Sequence, residues 1–377
     1  MWNIKKLKKK MKYVLNRLEN IKDPKEIEKL KLTLISYYTM LDNSGTFVNT
    51  KLPNILDKVT NNKYSNIKDE KLATTEIELF SNNKGYMDND YLQFLIKLCD
   101  NISLDHSLNY DVPVFETFNI SKEEVVNVSK NFYYSLGDKD IYQNALKILN
   151  DENSLNFSKI SRIGFEDYKG VTLNDYIFDK SYCNISLQKN IFDYQILNHE
   201  VMHAVDFYMK KKLPSENYYG FHEVPTYTID YLFLDYLENS GFPKNQIQIL
   251  RNQKINYLKD LATITKMEIK RLLSREKGYK TSINPSISDI SDVTNLKINK
   301  RLIELQSGIM AYGLYNQINQ DKENGIINLK TFMKTIIPNN ITPNFENIDL
   351  SSSILIEYSK IINSYLENTN QLEKNCI

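Results

Sequence analysis

Residues 199–203 read His-Glu-Val-Met-His, inside a run from Ile191 to about Lys211 whose apolar residues recur at three- and four-residue spacing. That spacing predicts a helix, so the two histidines stand one turn apart on one face, with Cβ atoms roughly 6 Å from each other. Imidazoles so related converge on one ion at about 2.0–2.1 Å, the distance that zinc takes to a histidine nitrogen. Glu200 lies about 100° round the helix from His199. There it sits beside a metal rather than on it, placed to take a proton from water. The chain holds only four histidines, and random placement would put two of them in this arrangement on the order of a few times per thousand such chains.

A catalytic zinc needs a third protein ligand and an open position. The next helical run supplies the candidates in Phe221-His222-Glu223-Val-Pro225, with Pro225 in a first turn where its missing N–H costs nothing. Between the runs, Pro214 to Gly220 forms a loop that lets the second helix return with its first turn beside the metal. Glu223 completes a two-histidine, one-carboxylate set. His222 is the rival, because three-histidine sites also hold catalytic zinc; otherwise its ring is directed to substrate or an oxyanion. Asp230, two turns beyond Glu223 on the same face, is expected to orient a ligand imidazole from behind. The expected cofactor is one Zn2+ per chain.

The rest of the chain reads as mainly α with a small mixed β-sheet next to the motif helix. Residues 1–150 form an N-terminal helical region, with helices at Glu26 to Leu41, Asp90 to Leu98 and Lys122 to Leu136, the last opened by a Ser121/Glu124 capping box. Polar loops are expected at Asn43 to Asn49 and Asn61 to Asn66. Residues 151–377 form the catalytic region. Strands fall at about 159–187, in Ser161 to Phe165, Val171-Thr-Leu and Tyr182 to Leu187, and the zinc helices at about 191–211 and 221–239. A long charged helix follows from Lys244 to Ser274. Glu276 to Asp292, rich in Ser, Gly and Pro, reads as a loop, and helices at Leu302 to Ile318 and Ser352 to Leu366 close the chain.

With 377 residues and 41% hydrophobic content the chain can bury a sizeable core. Forty-eight Lys and Arg against 47 Asp and Glu leave a net charge of +1, so no global field draws it to nucleic acid or a membrane. No apolar run approaches the roughly 20 residues that cross a bilayer. The basic stretch Lys5 to Lys12 reads as a solvated helix face without the apolar core of a signal peptide. Cys99, Cys183 and Cys376 lie too far apart in sequence for a thiolate metal site, and the expected location is the reducing cytoplasm. His106, with no second histidine nearby, reads as a loop or surface residue.

The run from Tyr182-Cys-Asn-Ile-Ser through Asp193 to Ile196-Leu-Asn-His-Glu200, with Glu223-Val-Pro225-Thr-Tyr-Thr-Ile-Asp230 after it, resembles the zinc core of the thimet oligopeptidase and oligoendopeptidase F family. The likeness covers residues 170 to 240. It implies a helical zinc-peptidase fold, Glu223 as metal ligand and Asp230 as the second-helix acid. Met202, Asp206 and Thr226-Tyr227 depart from the residues the family carries there, and the chain is shorter than most members. Gln306-Ser-Gly308-Ile-Met-Ala-Tyr312-Gly-Leu-Tyr315 is similar to the family's tyrosine-bearing helix. By that likeness Tyr312, ahead of Tyr315, is the expected donor to the oxyanion.

The resemblance implies a metallopeptidase that hydrolyses oligopeptides, with Glu200 taking the proton of water and returning it to the leaving amine. The peptide backbone is expected to pair with an exposed strand edge at Tyr182 to Leu187. One alternative is a toxin-type protease of the lethal-factor kind, which His203-Ala-Val-Asp206 also resembles and whose third ligand would lie further downstream. The other is a catalytically inactive zinc-stabilised binding protein, against which an intact Glu200 argues. Oligomeric state is not legible.

Overall fold

In the computed structural model, described over residues 4–18, 20–43, 89–102, 115–117, 120–158, 169–210, 219–276, 288–335 and 348–362, helices dominate and a single three-stranded mixed sheet accompanies them. Two units divide the chain: Met1–Leu79 with Glu116–Pro214, and Phe80–Phe115 with Ser215–Ile377.

The first unit opens with helices α1 (Ile4–Leu18) and α2 (Pro24–Asn43). Leu7, Met11, Val14 and Leu18, at alternating four- and three-residue spacing, give α1 one apolar stripe that buries against Leu30, Leu34, Tyr37 and Leu41 of α2. The flank of that stripe corrects the expectation of a fully solvated basic stretch. Lys10 reaches Asp175 at 3.2 Å and the Tyr182 hydroxyl at 3.1 Å, and its ammonium lies 4.2 Å from the Phe178 ring centroid. Burial lowers its pKa from the usual lysine value although Asp175 opposes that shift.

Helix α4 (Lys122–Ser135) starts at Ser121, whose hydroxyl accepts the Glu124 N–H at 3.0 Å; α5 (Lys139–Leu149) starts at Asp138, which accepts the Ile141 N–H. Strand β1 (Leu155–Phe157), which the sequence reading did not contain, runs parallel to β3 (Lys180–Ile185), while β2 (Gly170–Asp175) pairs antiparallel to it with Thr172 opposite Cys183. The tight β2–β3 connection is set by Asp175, whose carboxylate accepts the N–H groups of Ile177 and Phe178, and by Asp179 at φ 50. With sheet order β1-β3-β2, the strand at Tyr182 is central and bonded on both sides. The expectation of an exposed edge there is therefore corrected; β1 and β2 are the edge strands among the described residues. Residues 161–165 lie outside those residues.

Helix α6 (Phe192–Lys210) packs on β2, β3, α4 and α5. It is buried nearly all round, through Tyr194, Ile196, Leu197, Val201, Met202, Ala204 and Val205.

In the second unit, α3 (Asn89–Ile102) packs on α8 (Lys244–Glu276), and a 3-10 turn (Tyr219–His222) leads into α7 (Glu223–Asn239). Helix α9 (Ser288–Gln320) packs on α7, α8 and α10 (Lys322–Lys334). Gly308 permits the α8–α9 approach, since a Cβ there would stand 2.2 Å from Leu258 Cδ2. Residues 352–362 form α11. Ser288 to Asp292 is helix rather than the expected loop: Ser and Asp are good helix-opening residues, so the segment's polar composition belongs to a first turn. Glu276 and Asn43, where two of the expected loops begin, are the last residues of α8 and α2, and residues 277–287, 44–49 and 61–66, His106 and Cys376 lie outside the described residues. No helix among the described residues is long and apolar enough to cross a membrane.

Candidate active site

Helix α6 is anchored at its start by Asp193. Its buried carboxylate accepts the N–H groups of Gln188 at 2.6 Å and Lys189 at 2.7 Å, and burial raises its pKa even though those bonds favour the ionised form. Further along, the Tyr133 hydroxyl of α4 donates to the Asn198 carbonyl at 2.8 Å, and Tyr194 donates to Glu124 at 2.7 Å. These bonds fix the rotation of α6 about its axis. His199 and His203 then emerge half-buried from an otherwise buried helix, with ring centroids 4.9 Å apart and planes at 84°.

Glu200 is turned to β2 and is 8% exposed. The Thr172 hydroxyl stands 2.7 Å from its Oε2 and 2.8 Å from its main-chain oxygen. At Gly170, two residues earlier on the same strand face, a Cβ would come within 2.6 Å of Glu200 Cγ and 2.7 Å of Oε1. The bare Gly170 backbone is thus a cradle for the Glu200 side chain. Neither residue stands out in the sequence as part of a site. Their signal was available in principle: in a strand followed by a motif helix, a Gly-x-Thr pair at period two can present backbone and hydroxyl to one neighbour.

In the second unit, Glu223 opens α7 half-buried. Its Oε1 lies 3.0 Å from His222 Nε2, and its Oε2 accepts from Thr226 at 3.0 Å. His222 therefore meets the Glu223 carboxylate directly, a contact not foreseen in the sequence. Asp230 is buried with its Oδ2 paired to Lys254 of α8, and Arg251 spans Asp235 at 2.6 Å and Glu238 at 2.7 Å. Tyr312 is buried against Tyr231 and Tyr315, with ring centroids 5.6 and 5.8 Å away. The Tyr315 hydroxyl donates to Asp235 at 2.8 Å, and burial raises its pKa above the ordinary phenol value. In the first unit, Asp206 pairs with Lys210 at 2.9 Å.

No family model and no curated protein matches the sequence. Solved structures do. A chain provisionally named an oligoendopeptidase F, from Bacillus anthracis, superposes with a TM-score of 0.55 at 12% identity over 94% of this chain and 68% of that one. An inhibitor-bound PZ peptidase A follows at TM-score 0.48, 9% identity, 90% and 66% coverage. A provisionally named peptidase from Chlamydophila abortus gives 0.46, 14%, 90% and 60%. The first likeness shows the fold: mainly helical, with a small mixed sheet, as in that oligoendopeptidase-like chain.

Proposed function

We propose that this protein is a zinc-dependent peptidase acting on oligopeptides. The observation that carries the reading is the Glu200 carboxylate, braced by Thr172 beside the paired imidazoles of His199 and His203 on one buried helix. The donor chemistry fits the metal. His199, His203 and Glu223 are each half-buried and offer one ligand atom apiece, the two-imidazole, one-carboxylate set of a catalytic zinc. A zinc ion held by those three would supply Lewis acidity and lower the pKa of water.

Glu200 takes the proton of the attacking water and delivers it to the leaving amine, which makes hydrolysis a single displacement without a covalent intermediate. His222 and Thr226 hold the Glu223 carboxylate in one orientation. Tyr312 is the better candidate than Tyr315 for the oxyanion, since the Tyr315 proton is committed to Asp235. The naming of the first of these solved structures as an oligoendopeptidase F agrees with this reading. A reducing compartment such as the cytoplasm suits the buried thiols of Cys99 and Cys183.

The test is incubation of purified protein with a mixed peptide library, read by mass spectrometry with and without a chelator. We expect cleavage that the chelator abolishes and added zinc restores, with about one zinc per chain. A zinc-loaded protein that leaves the library intact overturns the reading.

A further inference from the structure

A general base needs more than a carboxylate near the water. Glutamate has three rotatable bonds, and displacement of a reacting group by about 1 Å costs on the order of 100-fold in rate. Something must hold it, and a cation beside it would favour the ionised form and weaken it as a proton acceptor. The neighbours of Glu200 on strand β2 meet both demands.

The Thr172 hydroxyl has one proton and three groups within reach, Glu200 Oε2 at 2.7 Å, the Glu200 main-chain oxygen at 2.8 Å and the Cys183 sulfur at 3.4 Å. A bond to an ionised carboxylate is the strongest of the three. The competing carbonyl has another donor, because the Cys183 thiol, directly across the strand pair from Thr172, lies 3.5 Å from it. Burial raises the pKa of that thiol, which keeps its proton in place. Gly170 completes the arrangement by leaving room where any Cβ would meet Glu200 Cγ and Ile196 Cγ2.

We propose that Thr172 is the positioning residue of the general base: its hydroxyl proton goes to Glu200 Oε2, and with the open Gly170 backbone it fixes the carboxylate in one orientation without adding charge. This rests on the reading of Glu200 as the base. A carboxylate has about four lone-pair sites, and the bond from Thr172 takes one of them.

The experiment compares Thr172→Val, which keeps the β-branched shape and loses the hydroxyl, with Thr172→Ser, which keeps the hydroxyl. In the zinc-loaded protein, Thr172→Val lowers kcat by about 10- to 100-fold, with KM and zinc content unchanged, while Thr172→Ser stays within about threefold of the parent. Equal turnover by the valine variant, or equal loss in both variants, overturns the proposal, the second outcome pointing to packing by the methyl group. A metal-free readout runs beside it. Urea midpoints of Thr172→Val, Glu200→Ala and the double variant form a cycle in which the second substitution costs less once the first is present. Additive midpoints overturn the role of Thr172 alone. A coupled cycle in a protein that cuts no peptide overturns the peptidase reading, and this role with it.

Discussion

Some carboxylates in each unit are held by a cation, and others by neutral donors. Asp175 and Asp206 in the first unit, and Asp230, Asp235 and Glu238 in the second, all face Lys or Arg. Glu200 in the first unit instead takes a bond from the Thr172 hydroxyl, and Glu223 in the second takes one from the Thr226 hydroxyl with His222 Nε2 3.0 Å from its other oxygen. The difference is electrostatic. A cation holds a buried carboxylate by cancelling its charge, which suits structure. A hydroxyl holds it by a single directional bond and leaves the charge for a proton or a metal ion. Among the described residues a threonine hydroxyl thus meets, in each unit, the acid that the proposed chemistry uses.

The largest expected effect follows from that division. Glu200→Gln keeps the size and the Thr172 contact but cannot take a proton, so turnover should fall by about 10²–10⁴-fold. Zinc content, measured on the same desalted protein, should match the parent. Loss of zinc in this variant would move Glu200 among the ligands, and undiminished turnover would put it with the structural acids.

Much of this is legible in the sequence. Helix α6 carries apolar residues at helical spacing, Ser121 caps the Glu124 N–H while the Glu124 carboxylate goes to Tyr194, and Pro225 marks a first turn, so local chemistry was enough for these elements. What escaped the sequence was non-local. The central place of β3 depends on β1, a three-residue strand with no periodicity to read. Lys10 looks like its lysine neighbours until Asp175, 165 residues away, is brought beside it. Thr172 reads as an ordinary strand residue, because β-branched side chains suit strands whatever their hydroxyl does. The mixed helical and sheet class and the His199-Glu200-His203 spacing were visible. The threonines and the glycine that hold the acids were not.

The second expectation separates Glu223 from its neighbour. Glu223→Ala should reduce zinc affinity by more than the roughly 10–100-fold that follows loss of a supporting contact, while His222→Ala, which removes a partner of the Glu223 carboxylate, should fall within that range. Competition titration with a chelating dye measures both. A greater loss in His222→Ala would make the imidazole the third ligand and would leave Glu223 as its support, which reverses their order but keeps both at the metal.

The smallest effect tests the other side of the comparison, the acids that face cations. Arg251 bridges Asp235 and Glu238 in a partly exposed setting, with side-chain exposures of 17%, 29% and 35%. Water can reach these carboxylates when the guanidinium is gone, and Asp235 keeps its bond from Tyr315. Arg251→Met should therefore cost about 1 kcal/mol or less, at the scale of exposed ion pairs. Zinc affinity and turnover should not change, because a pair that only cancels charge has nothing to pass to the reaction. Thermal melts, zinc titration and peptide turnover on one preparation decide it. A tenfold fall in turnover with an unaltered melt would mean that the Arg251 cluster acts on catalysis through Tyr315. The separation between cation-held and hydroxyl-held acids would then fail in the second unit while standing in the first.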